Sequence, residues 1–197
     1  MTNQILLFDI DHTLFNTAKF RKVTFDRLSL IIGNKEQEYK KLAQEYMVTL
    51  ESSTDFNIHK YLRLLAKKFK VGKTVLEDVF INDRLIYQEC IFPEVPRVLK
   101  TLSKHYTLGI FSEGYRKFQH EKLVKSDILK YFDTKYIFIK RRKLKSITSS
   151  FMSSRYIFID DKLNVLENIK NSIWINRKNQ ENSSTIKTIH NLIELIP

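Results

Sequence analysis

Only one cysteine occurs in the 197 residues, so an internal disulfide framework is excluded and a reducing compartment is expected. Cys90 lies in the apolar stretch Cys90-Ile91-Phe92, where a buried thiol is expected rather than a nucleophile. Zinc-ligand spacing is missing too: His12, His59, His105, His120 and His190 follow no common interval, and surface or packing roles are expected for the last four. No long uncharged apolar run exists, which excludes a helical membrane span. The start, Met1-Thr2-Asn3-Gln4, lacks the basic residues of a signal peptide, and a cytoplasmic location is the expectation. Internal repeats and low-complexity blocks are absent, and Asn179–Ser184 reads as a surface loop. Acids are outnumbered, 22 against 34 Lys and Arg, giving a net charge of +12.

That charge raises nucleic-acid binding. The lysines, however, are scattered along nearly every expected helix, and the one dense cluster is Lys140-Arg141-Arg142-Lys143 with Lys145. A small phosphorylated anion is therefore favoured as partner over nucleic acid. Hydrophobic residues make up 43% of the chain, too many for a disordered one, and the length suits one domain or a core with a small insert.

Four short apolar runs each lead into reactive polar residues. Leu6-Leu7-Phe8 enters Asp9-Ile10-Asp11-His12-Thr13, and Leu108-Gly109-Ile110-Phe111 ends at Ser112. Tyr136-Ile137-Phe138-Ile139 enters the basic cluster, and Tyr156-Ile157-Phe158-Ile159 ends at Asp160-Asp161. Such runs read as buried strands of a parallel sheet, and in open α/β sheets ligands bind beyond the carboxyl ends of strands. The polar groups should therefore meet at one edge, making a site for a metal and a phosphate. Two adjacent acids at a strand end repel unless a cation joins them, and Mg²⁺ is the hard, oxygen-liganded ion that fits. Asp11, two residues beyond Asp9, points to the same side of an extended strand. The alternatives are a turn cap for Asp11, helix N-caps for the acidic pair, and an N-cap role for Ser112.

In this order the motifs resemble those of the haloacid dehalogenase superfamily: D-x-D-x-T, a strand-ending Ser or Thr, a lysine, and an acidic pair. The resemblance covers residues 1–16 and about 91–170, with support from Phe92-Pro93, Gln119, Lys122-Leu123 and Tyr131-Phe132-Asp133. It implies a Rossmann-like three-layer α/β core and an aspartyl-phosphate mechanism with Asp9 as nucleophile and Asp11 as acid/base. The pKa values of those two acids would have to be set apart, Asp9 ionised and Asp11 able to carry a proton. The implied Mg²⁺ ligands are Asp9, Asp11 through its carbonyl, Asp160 and Asp161. Phosphate would meet Ser112, backbone N–H groups of Glu113 and Gly114, and the lysine, for which Lys143 leads over Lys140 and Lys145. Two departures stand out: His12 occupies a position where the family often has Gly, and Asn164 replaces a following acid. The family's dehalogenases lack an acid like Asp11, which disfavours dehalogenation.

From about Thr17 to Gln88 the apolar residues fall at helical spacing only. Stripes run through Phe20–Ile32, Tyr39–Leu50 and Ile58–Phe69, with a fourth beginning at Leu76. Gly33-Asn34 would stop the first, and Ser53, Thr54 or Asp55 would cap the third. The expected organisation is a core of 1–16 and 89–197 with a helical cap, 17–88, inserted after the first strand. Later helices are expected from Pro93, at Arg116–Lys125, Leu144–Phe151 and Leu163–Ile169. Ile173-Trp174-Ile175 reads as a further strand, and Ile186, Ile189, Ile193 and Ile196 as a closing helix. The function expected is a Mg²⁺-dependent phosphatase for a nucleoside monophosphate or sugar phosphate. A phosphomutase of the same family and a non-enzymatic partner- or nucleic-acid-binding scaffold are the alternatives.

Overall fold

All six strands run parallel in the computed structural model, which describes residues 4–148, 151 and 153–197. They are β1 (Ile5–Phe8), β2 (Thr107–Glu113), β3 (Ile137–Lys140), β4 (Tyr156–Asp160), β5 (Ser172–Ile175) and β6 (Lys187–Ile189). The order across the sheet is β3-β2-β1-β4-β5-β6, which puts β1 at the centre between β2 and β4. Alternation along these runs divides the interior. Leu6, Phe8, Ile110 and Ile159 enter one core cluster, while Ile5, Leu7, Phe111 and Phe158 enter a second. A sheet buried on both faces needs apolar residues at every position, which is why its strands read as continuous runs. The result is the expected Rossmann-like three-layer α/β architecture.

Residues 17–89, which follow β1, form five helices: α1 (Thr17–Ile32), α2 (Glu36–Val48), α3 (Ile58–Phe69), α4 (Lys73–Glu77) and α5 (Arg84–Glu89). Asn16 caps α1 by accepting from Lys19 N–H at 2.9 Å, and Gly33 ends it at φ 75°, a backbone that suits glycine. The α3 cap is Asn57, whose Oδ1 accepts from Lys60 N–H at 3.1 Å, and not Ser53, Thr54 or Asp55. Those three residues form a 3₁₀ turn of their own, engaged elsewhere. A π-helical turn, Asp78–Asn82, joins α4 towards α5. The chain leaves and re-enters the sheet domain through paired segments: Asn16 N–H donates to Cys90 O at 2.7 Å and Phe92 N–H to Leu14 O at 3.2 Å.

The remaining helices are α6 (Val95–Leu102), α7 (Arg116–Lys125) and α8 (Leu163–Leu166). In α6 the stripe Val95, Val98, Leu99 and Leu102 is fully buried, with Pro96 in the first turn. Two expectations need correction. The helix expected over Leu144–Phe151 is a short 3₁₀ turn, Leu144–Ser146, and Ser149, Ser150 and Met152 lie outside the described residues. The closing helix is instead strand β6 followed by a 3₁₀ turn, Leu192–Leu195, because Ile189 pairs into an edge strand that Ile186 precedes, while Leu192, not Ile193, is buried. Among the described residues no helix is long and apolar enough to cross a membrane.

Gly109 has a packing reason to be glycine. A Cβ there would stand 2.7 Å from Leu7 Cδ2 and from both Cβ and O of Tyr136. Backbone cannot yield as a side chain does, so Gly109→Ala should destabilise by about 2–3 kcal/mol, read from urea unfolding. A stability equal to wild type would show that β2 and the Tyr136 turn have room this packing denies.

Candidate active site

The register brings the strand-ending residues together. One step beyond the Phe8–Ile159 pair, Asp9 follows β1 as its N–H donates to Ile159 O at 2.9 Å, beside Asp160. Ser112 lies on β2, and Lys143 follows β3 by three residues. The Lys143 ammonium is completely buried and donates to Asp9 Oδ1 at 2.6 Å and to Asp160 Oδ2. Burial alone would lower its pKa, but Asp160 and Asp9 outweigh that and hold it firmly charged. Of the competing lysines, Lys145 is exposed, and the Lys140 carbonyl accepts from Gly114 N–H at 2.8 Å.

Carboxylate oxygens of Asp9, Asp160 and Asp161 lie within 4.8 Å of one another. Asp160 Oδ1 accepts from Lys162 N–H at 2.9 Å, whereas Asp161 Oδ1 is buried without a hydrogen-bond partner among the described residues. An unpartnered buried carboxylate oxygen beside two more carboxylates is what a divalent cation would satisfy, so the residues present fit such an ion. Crowding shows in the protonation equilibria. Burial, with Asp160 and Asp11 nearby, pushes Asp9 up to about 6 although Lys143 opposes it. Burial together with Asp9 and Asp160 pushes Asp161 up to about 8.

Asp11 is turned away from this group. Its Oδ2 accepts from Gln119 Nε2 at 2.6 Å, and its Oδ1 accepts from Lys122 Nζ at 2.6 Å and from Thr17 Oγ1. Burial would raise its pKa, but Lys122 and the hydrogen bonds hold it well below the usual carboxylate range. The pKa values of the paired acids are thus set apart in the opposite sense to the expectation, because Asp9 faces acids and Asp11 faces a buried lysine.

The Ser112 hydroxyl is fully buried at the same edge and has no partner among the described residues. The Glu113 carboxylate accepts from Lys143 N–H at 3.0 Å and from Lys162 Nζ at 2.9 Å. Of the backbone N–H groups expected to meet phosphate at 113 and 114, that of Gly114 is already taken by Lys140 O. His12 sits at φ 60°, the left-handed region that favours glycine, and borders a cleft with Asp161, Asn176, Arg177 and Lys178.

The basic cluster is divided between partners. Arg142 donates to Asp55 Oδ2 at 2.5 Å and to Thr54 Oγ1 at 2.7 Å, and Arg141 also pairs with Asp55. These contacts tie the turn before α3 to the loop carrying Lys143. Gln119 and Lys122 had a sequence signal as supporting stretches but no role. Arg177, whose guanidinium lies 3.6 Å from the Phe92 ring and donates to Thr13 O at 2.8 Å, had none.

Residues 6–145 match the family model described as haloacid dehalogenase-like hydrolase. The chain belongs to the haloacid dehalogenase-like hydrolase family. No curated protein matches it in sequence. Among solved structures, a haloacid dehalogenase-like hydrolase from Burkholderia xenovorans LB400 is similar at TM-score 0.72 and 16% identity, covering 98% of this chain and 95% of that one. The HAD-hydrolase YfnB from Bacillus subtilis, bound to magnesium, is similar at TM-score 0.61 and 18% identity, covering 98% and 96%. A 2-haloacid dehalogenase from Pseudomonas syringae pv. tomato DC3000 is similar at TM-score 0.60 and 16% identity, covering 98% and 96%. At these identities the likeness is one of fold, and the hydrolase family embraces more than one reaction.

Proposed function

We propose that this hydrolase is a Mg²⁺-dependent phosphatase acting on a small phosphorylated metabolite through an aspartyl-phosphate at Asp9. The observation that carries the reading is the edge itself: three carboxylates, a buried lysine and an unpartnered serine hydroxyl gathered around one strand end. Asp9, Asp160 and Asp161, with the Asp11 carbonyl, would hold Mg²⁺, which supplies positive charge to the transferring phosphoryl group and keeps the clustered acids ionised. The magnesium bound to YfnB is in keeping with this assignment.

An Asp9 carboxylate oxygen attacks phosphorus and the ester bond breaks, giving the aspartyl-phosphate and an alcohol. Asp11, ionised in the resting protein, takes up a proton from solvent as the substrate enters, gives it to the leaving oxygen, then takes one from the attacking water as the Asp9–phosphorus bond breaks. To do so it must exchange Lys122, Gln119 and Thr17 for the substrate. Ser112 Oγ–H and Lys143 Nζ bind phosphoryl oxygens, the Glu113 N–H assists, and Lys143 holds Asp9 and Asp160 in place beforehand. Residues 17–88 act as a cap, restricting the site to small substrates such as nucleoside monophosphates or sugar phosphates. The Asp55 contacts to Arg141 and Arg142 support a cap lying over this edge. An acid at position 11 favours phosphoryl chemistry over dehalogenation.

The test is phosphate release from a panel of phosphomonoesters, with Mg²⁺ and with EDTA, alongside halide release from 2-haloacids. Release from at least one small monoester, lost in EDTA, is expected. Halide release alone, or full activity in EDTA, would overturn the reading. Asp160→Asn should weaken Mg²⁺ binding about tenfold or more, measured by calorimetry. The amide retains an acceptor for Lys162 N–H and Lys143 keeps Asp9, so stability should change by only about 1 kcal/mol. Unchanged Mg²⁺ affinity would remove Asp160 from the ligand set.

A further inference from the structure

Glu113 is the last residue of β2 and Lys162 follows the end of β4 by one residue beyond Asp161, while β1 runs between those two strands. Adjacent strands are about 4.8 Å apart, so β2 and β4 are separated by roughly 10 Å. The Lys162–Glu113 ion pair, 2.9 Å long, therefore crosses the carboxyl end of β1, where Asp9 stands. Both ends of this bridge are fastened to the site. The second Glu113 oxygen accepts from Lys143 N–H at 3.0 Å, and the Lys162 N–H is bound by Asp160 Oδ1 at 2.9 Å. The Glu113 side chain is 14% exposed and that of Lys162 is 41% exposed, so the ammonium is the solvent-facing member. Asp9 is near enough to act on that ammonium.

We infer that Lys162 is a second phosphate-binding lysine of this site, and that Glu113 is the positioning residue that aims it. The inference rests on the phosphatase reading. In the resting protein the Glu113 carboxylate holds the ammonium above Asp9. When a phosphoryl dianion arrives, Lys162 turns from Glu113 to a phosphoryl oxygen on the side opposite Ser112 and Lys143. The group is then clamped from both neighbours of β1, and developing charge meets a cation already in place. No bond to Lys162 forms or breaks. A partly exposed ion pair contributes little to folding, so the ligand effect can be separated from a structural one.

Orthovanadate with Mg²⁺ is the probe, titrated against full-length wild type, Lys162→Met, Lys162→Arg and Glu113→Gln, with steady-state kinetics on a cleaved monoester. Lys162→Met should weaken vanadate binding and lower kcat/KM by about tenfold or more, with thermal unfolding nearly unchanged. Lys162→Arg should restore most of both. Glu113→Gln leaves an acceptor for Lys143 N–H and removes the charge that aims Lys162, so kcat/KM should fall several-fold while staying above that of Lys162→Met, and a wild-type kcat/KM would remove the positioning role. Wild-type affinity in Lys162→Met would overturn the inference while leaving the phosphatase reading intact. A wild type that neither binds vanadate nor releases phosphate would remove that reading, and the inference with it. Should Lys162→Met fail to fold, Lys162→Gln against Lys162→Arg makes the same comparison, and equal affinity in those two overturns the role.

Discussion

Asp9→Asn is expected to lower turnover by about 10⁴-fold or more, and to abolish the covalent phospho-adduct with it. An amide oxygen is a poor nucleophile at phosphorus, and of the neighbouring acids Asp160 is bound by Lys143 Nζ and the Lys162 N–H, and Asp11 by Lys122. The fold should survive. Lys143 keeps Asp160 as partner, and removing one of the clustered acids relieves the repulsion Asp9 exerts on Asp161. Acid-quenched protein would be weighed after exposure to an activated aryl phosphate. A gain of one phosphoryl group in wild type and none in the variant is expected. Normal turnover by Asp9→Asn would mean that another residue is the nucleophile.

Asp11→Asn should divide the reaction in two. An activated aryl phosphate has a leaving group that needs little protonation, so Asp9 should still become phosphorylated. Hydrolysis of the adduct should slow by about 10²–10⁴-fold, because the base that activates water is gone, and the phospho-protein should accumulate. The structure adds a cost, since the side chain of Lys122 is only 4% exposed and Asp11 is its carboxylate partner. Leaving that charge without a carboxylate should destabilise the variant by roughly 1–3 kcal/mol, read from urea unfolding. Accumulation of the adduct would itself demonstrate a folded site. Hydrolysis of an ordinary monoester at the original rate would remove the acid/base role, whatever the stability.

Much of this was legible in the chain because the strands of a buried parallel sheet are short apolar runs that end where the chemistry begins. Ile5–Phe8, Thr107–Glu113, Ile137–Lys140 and Tyr156–Asp160 each carry that signature, and the helical spacing of residues 17–88 marked the run of helices α1 to α5. The edge strand Lys187–Ile189 was not legible. Ile186, just before it, and Ile189, at its end, are three apart, an interval that also suits a helix, and only pairing with β5 decides for a strand.

The side-chain pairings belong to tertiary structure. Nothing local separates Lys143 from Lys140 and Lys145, since all are lysines near one strand end. The turn after β3 buries one of them between two acids 134 and 17 residues away. Arg141 and Arg142 looked like spare charge for an anion and instead hold Asp55 across 86 and 87 residues. Gln119 and Lys122 reach Asp11 across 108 and 111 residues, and so set its protonation opposite to expectation. The sequence alone determined which residue types lie at the strand ends, because hydrophobic runs and their limits are local properties. Only the folded chain decided which charges share a buried volume, because electrostatic partnership depends on distance through space and on desolvation, and neither is a property of neighbouring residues.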